Sequence, residues 1–256
     1  MFWIVQENIS NEIGFEKLIQ ALERRSLPFK IVKLIPFSHE IAPEPCIPEG
    51  SVIVSGSPTL SKIAMERAWQ PGAFLNDNFD FSVWQEKYKG LLLNEDARIE
   101  EFGKLNPKEP IFVRPCSDHK TFAGFIIEPE NLQTWQQQIL GISDGYATLT
   151  PETLVLSATP KPILKEFRFF VVDKQIVTWS LYKTWTYAHS SSDCDDEVVA
   201  FAEKAVQVWQ PDRAFVIDIA LTPIGPKVIE INCLTSAGFY EADVDHLVET
   251  LERTFG

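Results

Sequence analysis

Apolar and polar positions recur along this chain at strand and helix spacings, and they divide it into elements. Residues 2–5 form an apolar run of strand length. Over 11–25 the apolar residues Ile13, Leu18, Ile19 and Leu22 share one side of a helix. A second strand is expected over 29–35, followed by a connection rich in proline at Pro43, Pro45 and Pro48. A third strand over 51–55 runs into Gly56, Ser57 and Pro58, and a short helix from about 61 to 69 comes next. This order predicts a small parallel sheet, a Rossmann-like lobe.

Residues 76–102 are mixed, with Trp84, Tyr88 and the run Leu91, Leu92, Leu93, and read as a helical connection. Pro107 and Pro110 bracket a natural boundary. A strand over 111–115 follows, carrying Arg114 near its end. A loop over 116–124 contains His119 and Lys120, and a strand over 125–127 closes it. A helix is expected over 130–140 and a strand over 153–157, with a break at Pro160 and Pro162. Two apolar runs, 165–172 and 175–182, meet at Asp173-Lys174 and read as a hairpin. A polar, acidic loop spans 190–196, and a helix spans 195–209. A second hairpin pairs 215–221 with 228–232, its turn marked by Thr222, Pro223, Gly225 and Pro226. A small-residue loop over 235–240 and a closing helix over 243–255 end the pattern.

The two hairpins carry the candidate chemistry. Side chains alternate faces along a strand, so Asp218 shares a face with Val216 and Ala220, and Glu230 with Val228 and Asn232. Two carboxylates and an amide then project from strands otherwise made of Val, Ile, Phe and Ala. Acids are rarely buried without a partner. Hard oxygen ligands suit Mg²⁺, which leaves its other positions to water and phosphate. The alternative is a hairpin whose polar face looks into solvent. On the first hairpin, Glu166, Arg168 and Phe170 share a face, with Lys183 just past the return strand. A simple Glu166–Arg168 ion pair is the plainer account of that face. Arg114, Lys120 and Lys183 can each also be read as solvated cations.

The chain has 256 residues, 45% of them hydrophobic, which suffices for a sizeable core. A formal net charge of −13 disfavours non-specific nucleic-acid binding, so no nucleic acid is expected as partner. Cys46, Cys116, Cys194 and Cys233 show no Cys-x-x-Cys pair and fit reduced thiols. The first residues lack the basic stretch and the apolar length of a secretory signal, and no apolar run is long enough for a bilayer. A cytoplasmic protein is therefore expected. There is no G-x-G-x-x-G, no P-loop and no G-x-S-x-G, and the four histidines are scattered.

Taken in order, the chain offers a cation at a strand end, a lysine loop, Glu-x-Arg on a hairpin, Asp on a strand and Glu-x-Asn on the next. That order resembles the ATP-grasp superfamily, particularly its small bacterial and phage-type members. The likeness covers roughly 111–256. It departs from the usual pattern in placing arginine where a strand-end lysine is expected, and in a loop with a single glycine, Gly124.

The resemblance implies an α/β (α+β) ATP-grasp fold with a pre-ATP-grasp lobe and connecting helices over 1–105. The ATP-grasp domain would span 106–256, as a lid over about 111–160 and a catalytic body over about 161–256. It implies an ATP- and Mg²⁺-dependent carboxylate–amine or carboxylate–thiol ligase working through an acyl phosphate, with Mn²⁺ as an acceptable metal. Asp218, Glu230 and Asn232 would hold the metal. Arg114, Lys120, Glu166 and Arg168 would bind nucleotide, and Arg168 and Lys183 would act in catalysis. Ser236, Gly238 and Tyr240, small or hydroxyl-bearing and just past Asn232, would line the acceptor site. The partners would be a small-molecule, amino-acid or peptide carboxylate and an amine, with no membrane and with a homodimer left open. The other implied reading is a non-catalytic nucleotide-binding module that kept the fold.

Overall fold

Four strands carry the two hairpins seen in the pattern: β10 (Lys165–Val172) with β11 (Gln175–Thr184), and β13 (Ala214–Thr222) with β14 (Gly225–Cys233). They lie side by side in one antiparallel sheet whose edge strand β12 (Tyr187–Ser191) completes the order β12-β11-β10-β13-β14. The computed structural model describes residues 1–7, 14–35, 38, 40–116, 122–140, 149–185 and 187–256. These group into two units, one made of Met1–Asn76 with Ile163–Gly256, the other of Asp77–Pro162.

In the first unit a second sheet has the order β3-β2-β1-β4-β5, from β1 (Phe2–Gln6), β2 (Phe29–Leu34), β3 (Ile41–Ala42), β4 (Val52–Ser55) and β5 (Pro71–Gly72). Strand β1 runs parallel to β2 and β4, β4 runs parallel to β5, and only β3 is antiparallel. Both faces of β1 are buried, as parallel strands require. Trp3 and Val5 join one core and Ile4 the other. The Ile4 core is closed by helix α2 (Pro58–Glu66) through Leu60 and Ile63. Helix α2 begins earlier than its apolar pattern suggests because Pro58 takes the first helical turn, where a missing N–H costs nothing.

The Trp3 core joins the two sheets of this unit. Helices α1 (Phe15–Arg24) and α6 (Val244–Phe255) contribute Leu18, Leu22, Leu247 and Leu251, and the large sheet contributes Phe170, Val172, Ala214 and Val216. Phe170 stacks on Phe239 with ring centroids 5.7 Å apart. Asp243 caps α6 by accepting from the His246 N–H at 2.9 Å. Alternation now has a consequence for function. The face of β10 that buries Phe170 and Val172 carries Arg168 and Glu166 further along. The matching face of β13 goes from Ala214 and Val216 to Asp218. One sheet face is thus core at one end and polar site at the other.

The second unit is built on the antiparallel sheet β6-β9-β7-β8, from β6 (Arg98–Glu101), β7 (Ile111–Pro115), β8 (Phe125–Ile127) and β9 (Leu154–Ala158). Helix α4 (Pro129–Leu140) covers it with Leu132 and with Trp135, whose ring meets Phe102, Phe122 and Phe125 edge-on. Here one expectation fails. Residues 76–102 are not simply helical: after a 3-10 turn and helix α3 (Phe81–Lys87), residues 98–101 form a strand paired to β9. Their sequence, Arg-Ile-Glu-Glu, lacks a strand pattern because its side chains are exposed or half-buried, and pairing with β9 decides the matter.

All four cysteines are free thiols. Burial raises Cys116 to about 11 and, with Asp195 nearby, Cys194 to about 12, so both rest protonated. No helix among the described residues is long and apolar enough to cross a membrane.

At the end of the second unit, Asp96 accepts from the Thr159 N–H at 3.0 Å and pairs with Lys161. Partial burial works against its charge, but the bonds from Lys161 and Thr159 outweigh that and hold its pKa at about 2. A depressed carboxylate stabilises the fold above its unfolded pKa, and that stability is lost as pH falls through the folded value. The window here lies between about pH 4 and pH 2. Because the side chain is 42% exposed, solvent screening holds the effect below about 1 kcal/mol. Asp96→Asn should therefore lose a small stability increment at neutral pH and flatten the acid limb. Urea titrations of both proteins between pH 2 and pH 7 check this, and parallel pH profiles would contradict it.

Candidate active site

The sheet register brings Arg168 opposite Asp218, and Asp218 opposite Glu230. Asn232 lies across from Val216 on the same face. Glu166 stands beside Arg168 on β10 and opposite Lys183 on β11. The candidate residues of the two hairpins are therefore spread over four adjacent strands.

Arg168 is the centre. Its Nε donates to Asp218 Oδ1 at 2.9 Å and its Nη2 to Oδ2 at 2.8 Å, a bidentate fork. Its Nη1 donates to the Gly238 carbonyl at 3.3 Å. The Tyr182 and Tyr240 rings lie 5.5 and 5.4 Å from the guanidinium carbon and stack on each other at 5.1 Å. The pair is dry: the Arg168 side chain is 10% exposed and that of Asp218 is fully buried. Burial alone would lower the Arg168 pKa, but the adjoining Asp218 carboxylate more than offsets it and holds the guanidinium well above its ordinary value.

Glu166 does not pair with Arg168, so the plain Glu166–Arg168 account of this hairpin is replaced. Its Oε1 accepts from Lys183 Nζ at 2.6 Å and its Oε2 from the Tyr182 hydroxyl at 2.9 Å. The cause is local. Glu166 stands opposite Lys183 and Phe167 opposite Leu181, so a bulge leaves Tyr182 between them, and two successive residues of β11 reach one carboxylate. Burial and the Asp218 and Glu166 carboxylates push the Tyr182 pKa well above 10. This phenol stays protonated and acts as a donor.

Asn232 is 1% exposed. Its Nδ2 lies 3.1 Å from Glu230 Oε1 and 3.4 Å from Asp218 Oδ2, while its Oδ1 is buried with no partner among the described residues. An orphaned amide oxygen costs free energy. Together with two carboxylates it forms the all-oxygen set that a hard divalent cation takes. The residues thus fit such an ion, with Glu230 half-buried at the rim. No group of three His, Cys, Asp or Glu side chains meets among the described residues, since the third donor is an amide.

The loop after β14 is held in place. Tyr240 has φ 50°, an unfavourable conformation for a residue with a side chain, which the surroundings must enforce. Lys17 Nζ donates to its carbonyl at 2.6 Å, and the Glu241 N–H donates to Ser180 Oγ at 3.1 Å. Ser236 and Gly238 are half-buried on the same turn. Gly56 is needed for packing, because a Cβ there would lie 2.7 Å from Gln6 Oε1. Its N–H donates to the Thr235 carbonyl at 2.8 Å.

Arg114 belongs to the second unit, at the end of β7, with its guanidinium carbon 5.9 Å from the Trp84 ring and its Nε donating to the Pro115 carbonyl at 3.3 Å. Lys120 lies outside the described residues, as does His119. Tyr182 is the residue that sequence reasoning missed. Its signal was the polar alternation Thr178, Ser180, Tyr182 along an otherwise apolar strand.

Residues 43–251 match the model of an ATP-grasp domain family, family 3 of its clade. The chain belongs to the ATP-grasp family. Solved ATP-grasp structures share its fold at low identity. The D-cycloserine synthetase DcsG is 10% identical with a TM-score of 0.66, over 100% of this chain and 99% of that one. The D-alanine–D-alanine ligase of Bacillus anthracis, complexed with ATP, is 13% identical with a TM-score of 0.61, over 99% and 98%. The ATP-grasp ligase PsnB, complexed with a minimal precursor, is 12% identical with a TM-score of 0.59, over 100% and 99%. No curated protein matches the sequence significantly. Family and neighbours together support an ATP-dependent ligase of mixed α/β fold.

Proposed function

We propose that this ATP-grasp protein is an ATP- and Mg²⁺-dependent ligase that activates a carboxylate as an acyl phosphate and joins it to an amine or thiol. One observation carries the reading: Asn232 Oδ1, buried and unpartnered, sits among Asp218 and Glu230 beside two cations. Asp218, Glu230 and Asn232 would hold Mg²⁺ or Mn²⁺, which supplies charge to offset the phosphates. Arg168 and Lys183, with Glu166 orienting Lys183, would meet the terminal phosphates. Arg114 and Lys120 would add further cations for the nucleotide. Phosphoryl transfer needs positioning and charge more than a covalent residue. The substrate carboxylate attacks the γ-phosphorus and ADP leaves. The nucleophile then displaces inorganic phosphate from the acyl group. Ser236, Gly238 and Tyr240 would flank the acceptor.

The assignment of 1–105 as a pre-ATP-grasp lobe and of 106–256 as lid and body is part of this proposal, as is a cytoplasmic location. An amino-acid or peptide acid is the favoured substrate class, because one neighbour is an amino-acid ligase and another is bound to a precursor peptide. The non-catalytic module draws support from one feature: both Arg168 and Lys183 are already tied to acids.

Calorimetry with ATP should show binding that requires Mg²⁺, and ADP release should rise with one member of a panel of amino acids and peptides. Lys183→Met should weaken ATP about tenfold or more and leave AMP unchanged, as expected for loss of a charge-assisted bond worth about 1.5–3 kcal/mol. Equal loss for both nucleotides would reduce Lys183 to a partner of Glu166. Tight Mg-ATP binding with no ADP release from any substrate would favour the module.

A further inference from the structure

Asp218 presents two oxygens, and the Arg168 fork occupies both. The carboxylate is fully buried and its partner nearly so. The guanidinium is held on three further sides by the Gly238 carbonyl and by the Tyr182 and Tyr240 rings. A metal ion reaching Asp218 would therefore have to displace a caged, bidentate cation. The electrostatics oppose this too. Three carboxylates, Glu166, Asp218 and Glu230, face two cations, Arg168 and Lys183, on this sheet. A divalent ion alone would turn the patch net positive beside a buried guanidinium. A polyphosphate brings several negative charges, enough to satisfy the ion and Arg168 together.

We infer that Arg168 closes the metal site in the nucleotide-free protein, so that the divalent ion enters with the nucleotide and not before it. The inference rests on the ligase reading's assignment of Asp218, Glu230 and Asn232 to the metal. It assigns Arg168 two anions in turn: Asp218 at rest, and the terminal phosphates when nucleotide arrives. Asn232 Oδ1 and the half-buried Glu230 are present throughout, but without Asp218 they make an incomplete set. The arrangement has a chemical use. The metal joins the site only with the phosphates it is to neutralise.

The test titrates Mn²⁺ into the full chain and reads free Mn²⁺ by electron paramagnetic resonance. Wild-type protein without nucleotide should take up no Mn²⁺ below the millimolar range. With a non-hydrolysable ATP analogue, uptake should appear at least tenfold tighter than for the analogue alone. Arg168→Met, apolar and of similar length, should bind Mn²⁺ without nucleotide at least tenfold more tightly than wild type, and Arg168→Met with Asp218→Asn should lose that gain. Should the methionine variant fail to fold, Arg168→Lys keeps the charge without the fork and should show a smaller gain. The wild-type comparison needs no variant at all. Wild-type protein binding Mn²⁺ equally well with and without nucleotide would overturn the inference and leave the ligase reading standing. Absence of Mn²⁺ uptake even with nucleotide would overturn both.

Discussion

Asp218→Ala is expected to lower the unfolding free energy by about 3–5 kcal/mol, the cost of leaving one member of a buried ion pair without the other. The guanidinium it abandons has little access to water, at 10% side-chain exposure, and is walled by two tyrosine rings. The Gly238 carbonyl would be its one remaining polar contact among those described above, and a neutral acceptor at 3.3 Å does not replace a carboxylate fork. Asp218→Asn keeps the shape and one acceptor, so it should cost less, about 1–3 kcal/mol. Glu166 supplies the control. It too is buried and paired, but its partner Lys183 is 42% exposed and can turn to water. Glu166→Gln should therefore cost less than Asp218→Ala. Urea unfolding at one pH, with m values compared, measures all three. A change below about 1 kcal/mol for Asp218→Ala would mean that Arg168 reaches solvent easily, and the closed site inferred above would lose its physical basis.

How much of this site the sequence discloses depends on how local each relation is. Alternation along a strand is local, so the common face of Glu166 and Arg168, and that of Glu230 and Asn232, can be read directly. The hairpin partners are nearly as local, because a short turn sets the register. The Arg168–Asp218 fork is different. Its members stand on β10 and β13, in separate hairpins, and the register between those strands follows from packing. The plainer pairing of Arg168 with Glu166 fails for that reason. The bulge that hands Glu166 to Tyr182 and Lys183 is likewise a property of the pair of strands. Strand β12, Tyr-Ala-His-Ser-Ser, escapes a reading by pattern because it is an edge strand with mostly exposed side chains and no apolar face. The long helices behave otherwise. The apolar stripe of α6 recurs at Val244, Leu247, Val248 and Leu251, and all four are buried.

Glu230→Gln should show the opposite balance from Asp218→Ala, with little change in stability and a large loss of metal-dependent nucleotide binding. Glu230 is half-buried on β14, an edge strand of its sheet, and the glutamine amide can still meet Asn232 there. Stability should hold within about 1 kcal/mol, as for substitutions outside a packed core. The metal set is more exacting. Even groups that only orient a metal ligand typically change affinity by about 10–100-fold when removed. Replacing a charged ligand should therefore weaken Mg-dependent ATP binding by about 100-fold or more. Nucleotide measured in excess chelator should bind the variant and the wild type alike, since no metal joins in either case. Calorimetric titrations across a series of Mg²⁺ concentrations separate the two terms. If Glu230→Gln binds Mg-ATP as tightly as the wild type, Glu230 serves only as the acceptor for Asn232, and the metal set shrinks to Asp218 and Asn232. If the loss appears equally in chelator, Glu230 supports the nucleotide pocket itself.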